Sequence, residues 1–158
     1  MALKQKNITK KIESKTDSLV EVRDFIGGAA RHLGFDEEEV ANIVLAVDEA
    51  CTNIIKHAYQ YAPDKEIEIS IAANDRFFEV KIYDSGKSFD PTALRPPDLK
   101  SNLGKHRRGG LGVYLMKRLM DKVEYHFKPG KRNEVLLVKY LSHSPSAPRR
   151  HQRANSAQ

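Results

Sequence analysis

Apolar residues recur in steps of three and four from Val40 through Ile43, Val44, Val47, Cys51, Ile54 and Ile55 to Ala58. The spacing predicts a long helix, opened by Asp36 and Glu39 with acids at its positive end and stopping near Tyr61, before Pro63. Upstream, Leu19, Val22, Ile26, Ala29, Ala30 and Leu33 draw a second stripe that ends at Gly34. Ser18 and Glu21 ahead of it have the spacing of a capping box. Elsewhere the period drops to two. Residues 66–71 and 78–82 alternate around the turn residues Asn74-Asp75, which predicts a hairpin. Residues 123–128 and 135–141 read as a closing hairpin around Pro129-Gly130, and residues 7–14 as a modest strand with Ile8 and Ile12. Val113, Leu115, Met116, Leu119 and Met120 predict a third helix.

Against that pattern some polar residues stand out. Glu49, Asn53, Lys56 and His57 share the helical spacing but lie off the stripe. A carboxylate and a carboxamide one turn apart can act on the same part of a ligand, although such a column is also what a solvated helix face looks like. Continuing the parity of Phe78, Val80 and Ile82 puts Asp84 on the buried side, where an unpaired carboxylate is costly and requires a donor. The alternative is an ordinary turn Asp before Ser85-Gly86. Residues 89–108 lack apolar periodicity and are long for a connection, as lids, binding loops and disordered segments are. Arg107, Arg108 and Gly109-Gly110-Leu111-Gly112 close that segment and run into the third helix. Glycines there let backbone N–H groups approach an anion, or serve as plain hinges.

Composition narrows the class. A chain of 158 residues can bury one substantial core, and no apolar run approaches the roughly 20 residues of a membrane span. The expectation is one domain over residues 1–141 with a disordered basic tail over 142–158, in the cytoplasm. The single cysteine, Cys51, falls on the apolar stripe and reads as a core residue. The net charge of +6 resides in the ends, since residues 1–11 carry +4 and residues 142–158 carry +3. A nucleic-acid groove should show on the folded part instead, so direct nucleic-acid binding is not the expectation.

The ordered set Glu49-x-x-x-Asn53, Asp84-Ser85-Gly86-Lys87-Ser88-Phe89-Asp90-Pro91 and Gly110-Leu111-Gly112 resembles the N, G1 and G2 boxes of the histidine-kinase-like (Bergerat-fold) ATPases. The wording of the boxes is closest to the bacterial anti-sigma factor serine kinases, and the resemblance covers roughly residues 8–141. It implies an α+β fold: a two-layer α/β sandwich whose mixed, mostly antiparallel sheet is covered on one face by three helices. It implies ATP and Mg²⁺, with Asn53 as the metal ligand, Asp84 accepting from the adenine amino group and Gly86 admitting the ring. Gly109, Gly110, Leu111 and Gly112 would hold the lid against the phosphates, Arg108 would approach the γ-phosphate, and Glu49 would be the general base. Lys56, His57 and Phe89 would line the nucleotide site. The implied partners are a sigma factor, an anti-anti-sigma antagonist and a second copy of the chain. The rival expectations are a nucleotide-gated binding module without significant catalysis and a nucleic-acid binder that uses the tails.

Overall fold

The computed structural model describes residues 5–91, 109–128 and 130–141. Of the irregular segment expected over residues 89–108, residues 92–108 lie outside them, Arg107 and Arg108 included, as does the expected tail over 142–158. Five strands form one sheet: β1 (Lys6–Glu13), β2 (Glu66–Ala73), β3 (Phe77–Asp84), β4 (Lys122–His126) and β5 (Asn133–Tyr140), in the order β1-β2-β3-β5-β4. All four neighbouring pairs are antiparallel. Three helices, α1 (Leu19–Leu33), α2 (Glu37–Asn53) and α3 (Gly109–Leu119), complete an α+β fold. Among the described residues no helix is long and apolar enough to cross a membrane.

The alternation of the strands sets the two faces of the sheet. Ile67, Ile69, Ile71, Phe78, Val80, Ile82, Val135 and Leu137 join one core with Val22 and Ile26 of α1, Ile43 and Val47 of α2, and Met116 of α3. Each such fully buried side chain contributes roughly 1.5–3 kcal/mol. On the other face Leu136 and Val138 are buried without joining that core. Their cross-strand neighbours are Lys81 and Glu124, and Glu79 and Lys122. These form the ion pairs Lys81–Glu79 (3.8 Å) and Lys122–Glu124 (3.2 Å) on the strands to either side of the two apolar residues.

Helix ends follow local chemistry, with one exception. Asp36 caps α2 by accepting from the Glu39 amide at 2.8 Å, and Gly34 ends α1 in the left-handed region at φ 107°. The capping box expected at Ser18 does not form. Ser18 closes a short 3₁₀ turn (Thr16–Ser18) at φ −70°, ψ −16°, and its side chain makes no cap bond. An N-cap side chain reaches back only from an extended backbone, and the 3₁₀ entry removes that geometry. Ser14 instead fastens the end of β1: its hydroxyl donates to Ala62 O at 2.5 Å and accepts from Lys65 N at 3.1 Å.

Candidate functional site

The expected single helix to Tyr61 changes character at Asn53. Residues Ile54–Ala58 form a π-helical turn, and Tyr59 N donates to Ile54 O five residues back. Gln60 and Tyr61 then leave the helix at positive φ, 51° and 65°. Wider turns of this kind mark functional sites often enough to warrant a close look. Here the turn releases the Ala58 carbonyl, which accepts from Lys87 N at 2.8 Å. Gly86 lies against the same carbonyl, where an added Cβ would sit 2.5 Å from Ala58 O. Only glycine allows this approach between the helix end and the loop after β3.

That loop carries Asp84, which is 3% exposed and faces the core side as its parity requires. Oδ1 of Asp84 accepts from Gly86 N at 2.9 Å and from Asn133 Nδ2 at 3.0 Å. Asn133 is buried on β5 directly opposite Asp84; its Nδ2 also donates to Gly86 O at 3.1 Å and its Oδ1 accepts from Ser88 Oγ at 2.9 Å. Burial raises the Asp84 pKa, with the two donors opposing the rise. The result is a carboxylate fixed by one oxygen at the mouth of a strand.

A second group gathers between α2 and the first turn of α3. Asn53 is 3% exposed and its Nδ2 has no partner among the described residues. An unpaired buried amide costs free energy on the order of 1–3 kcal/mol, which a ligand would recover. A half-turn of the amide presents its oxygen at the same point, the donor type that a hard cation prefers. Glu49 stands one turn earlier; its pKa is raised first by burial and next by Asp48, while Lys56 pulls it down. A Cβ on Gly112 would lie 2.5 Å from Glu49 Oε2 and 3.7 Å from Asn53 Nδ2, so the glycine backbone borders both groups. No three His, Cys, Asp or Glu side chains converge as a metal cage among the described residues. A divalent ion at Asn53 would therefore take most of its ligands from phosphate and water, which suits Mg²⁺.

His57 sits between the two groups on the π turn. Burial and the Lys56 charge lower its pKa, its Nε2 is buried without a partner among the described residues, and its ring centroid lies 5.5 Å from that of Phe89. Phe89 continues into Tyr125 and Phe127, making an aromatic floor beside the loop. Cys51 is wholly in the core, where burial pushes its thiol up, unlike a nucleophile.

The structure thus brings Glu49, Asn53 and Gly112 together and groups Asp84 with Gly86; the π turn after α2 carries Lys56 and His57 between them, with Phe89 of the loop after β3 against His57. Gly109, Gly110 and Leu111 belong to the first turn of α3, not to a loop before it as the sequence suggested. The amides without intrahelical acceptors are consequently those of the glycine run itself. Arg108 lies outside the described residues. Sequence reasoning missed Asn133, which sits beside Arg132 and Glu134 and reads as turn material. Its parity with Val135 and Leu137 was the available signal.

Residues 12–139 match the family model of the histidine kinase-like ATPase domain. Serine-protein kinase RsbW of Listeria monocytogenes is 32% identical over 146 residues, covering 90% of this chain and 92% of the relative. Serine-protein kinase RsbW of Bacillus cereus is 33% identical over 138 residues, covering 85% and 84%. The solved RsbU and RsbW domains of Rv1364c from Mycobacterium tuberculosis superpose with a TM-score of 0.61 at 15% identity, over 85% of this chain and 32% of that one. The SiaB–SiaC complex from Pseudomonas aeruginosa gives 0.54 at 15% identity, over 85% and 89%. At that identity the two structures speak to the fold alone. The chain belongs to the histidine kinase-like ATPase family, among its RsbW-type serine-protein kinases.

Proposed function

We propose that this kinase is an anti-sigma factor that sequesters a sigma factor in one state and, in another, transfers the γ-phosphoryl group of ATP to a serine of a small anti-anti-sigma antagonist. The activity resides in a single domain over residues 1–141. The observation that carries the reading is Asp84, a buried carboxylate whose one oxygen is held by Gly86 and Asn133. Such a group is ready to accept from the adenine amino group, with Gly86 admitting the ring.

The remaining residues take roles along the length of the nucleotide. Lys56, His57 and Phe89 line it, and the amides of Gly109, Gly110, Leu111 and Gly112 face its phosphates with the positive end of α3. Arg108 approaches the γ-phosphate. Asn53 would hold Mg²⁺, which when bound neutralises phosphate charge. The serine hydroxyl attacks the γ-phosphorus, the bond to the β–γ bridging oxygen breaks, ADP leaves, and Glu49 takes the hydroxyl proton. Positioning and charge neutralisation supply most of such catalysis, and one base completes it. The raised pKa of Glu49 makes it a stronger base than an exposed glutamate.

The protein works as a homodimer in the cytoplasm, a state that light scattering on the purified chain measures. The function itself is tested by incubating the chain with Mg-ATP and the antagonist protein encoded by the same organism. Phosphoserine on the antagonist, found by mass spectrometry and absent with Glu49→Gln, is the expected result. An antagonist that binds the chain yet stays unphosphorylated overturns the reading.

A further inference from the structure

The adenine-side loop is held from the core by Asn133, and it is also held from the opposite side by Tyr59, a residue to which the kinase reading gives no part. The Tyr59 hydroxyl accepts from Ser85 N at 2.8 Å and donates to Glu66 O at 2.5 Å. One residue earlier in the helix, Ala58 O accepts from Lys87 N at 2.8 Å. The amides on either side of Gly86 are therefore both bonded to the two residues that end the π turn, while Gly86 itself touches Ala58 O. Both halves of this arrangement depend on the wider turn. In a continued α-helix Ala58 O would accept from Ala62 N, whose donor goes to Tyr59 O instead.

We propose that Tyr59 is a positioning residue for nucleotide recognition: its hydroxyl latches the Asp84–Gly86 loop to the π-turn end of α2 and so fixes the distance between the base-reading carboxylate and Asn53. The inference rests on the reading of Asp84 and Asn53 as two ends of one ATP site. Tyr59 acts through the loop, by its bond to Ser85 N. Ser85 is exposed, so its amide finds water when the latch is lost and the fold survives. The loop then no longer holds Asp84 at a fixed offset from the phosphate end, which penalises recognition of the base more than binding of the phosphates.

Tyr59→Phe keeps the ring and removes both bonds. The experiment is calorimetric titration of Mg-ATP and Mg-ITP, the latter lacking the exocyclic amino group, into the wild-type and variant proteins. Amide hydrogen exchange at Ser85 and the melting temperature are read on the same samples. The expected result is about five- to tenfold weaker ATP binding with a smaller loss for ITP, so that the preference for adenine narrows. Ser85 exchange should rise while the melting temperature stays near that of the wild type. A variant that binds both nucleotides like the wild type, or loses both by the same factor, overturns the positioning role even though the wild type binds ATP. A wild type that binds neither nucleotide overturns the ATP reading, and the latch with it.

Discussion

The two ends of the candidate site differ in how their polar groups are satisfied. Around Asp84, Gly86, Asn133, Ser88 and Tyr59 the bonds run between protein groups and hold one carboxylate oxygen, the Asn133 amide and the loop N–H groups in place. Around Asn53 and His57, buried nitrogens have no partner among the described residues, and Glu49 sits in surroundings that disfavour its charge. A network that completes itself is rigid before the ligand arrives. A site with orphaned groups is completed by the ligand. On the proposed reading, the Asp84 end would read the base from a preorganised loop, and the Asn53 end would hold a binding deficit that a charged ligand relieves.

The sharpest way to test that contrast is to remove the base. Glu49→Gln should lower kcat about 10²- to 10⁴-fold while nucleotide affinity holds, measured by phosphotransfer and by titration on the same preparation. A normal rate would remove Glu49 from the chemistry.

Two glycines separate the ends next. Gly86→Ala drives a methyl into the Ala58 backbone, which cannot give, so unfolding free energy should fall by about 2–4 kcal/mol in denaturant titration. Gly112→Ala drives its methyl into the tip of Glu49, a side chain that can swing away. That variant should melt within a few degrees of the wild type and lose about tenfold or more in kcat. If Gly112→Ala unfolds and Gly86→Ala does not, the assignment of rigid and adaptable ends is reversed.

The smallest effects concern pH. Asp84 and Glu49 have folded-state pKa values raised above 3.8 and 4.5, so the native state holds protons that the unfolded chain has released. Each therefore stabilises the fold less as pH rises through that window. Asp84→Asn removes the Asp84 contribution, and its stability relative to wild type should improve from pH 4 to pH 7 in urea titrations. The acid limb of kcat should report Glu49 at a pH above its ordinary 4.5. A relative stability that falls over that range would mean Asp84 is stabilised as an anion.

Much of this was legible in the chain because it depends on period and parity. The stripe from Val40 to Ala58 and the alternation through Phe78, Val80 and Ile82 fix which faces are buried, and Asp84 follows from the same count. Residues whose function depends on register between distant strands were not legible. Asn133 acquires meaning only from standing opposite Asp84, and Tyr59 only from a π turn that no apolar period announces. Ser18 shows the opposite failure: the motif was present, but a 3₁₀ entry overrode it. The glycines at 109, 110 and 112 were found by type and misplaced by a few residues, because a helix start without a capping side chain has no sharp sequence boundary.

The central claim is that Asp84 and Asn53, on different elements, serve one bound nucleotide. Calorimetric titration of Mg-ATP into the wild-type, Asp84→Asn and Asn53→Ala proteins tests it directly. The account predicts a single binding event per chain in the wild type, weakened about tenfold or more by either substitution, with the Mg²⁺ dependence lost only in Asn53→Ala. Two independent events, or full affinity in both variants, would contradict it.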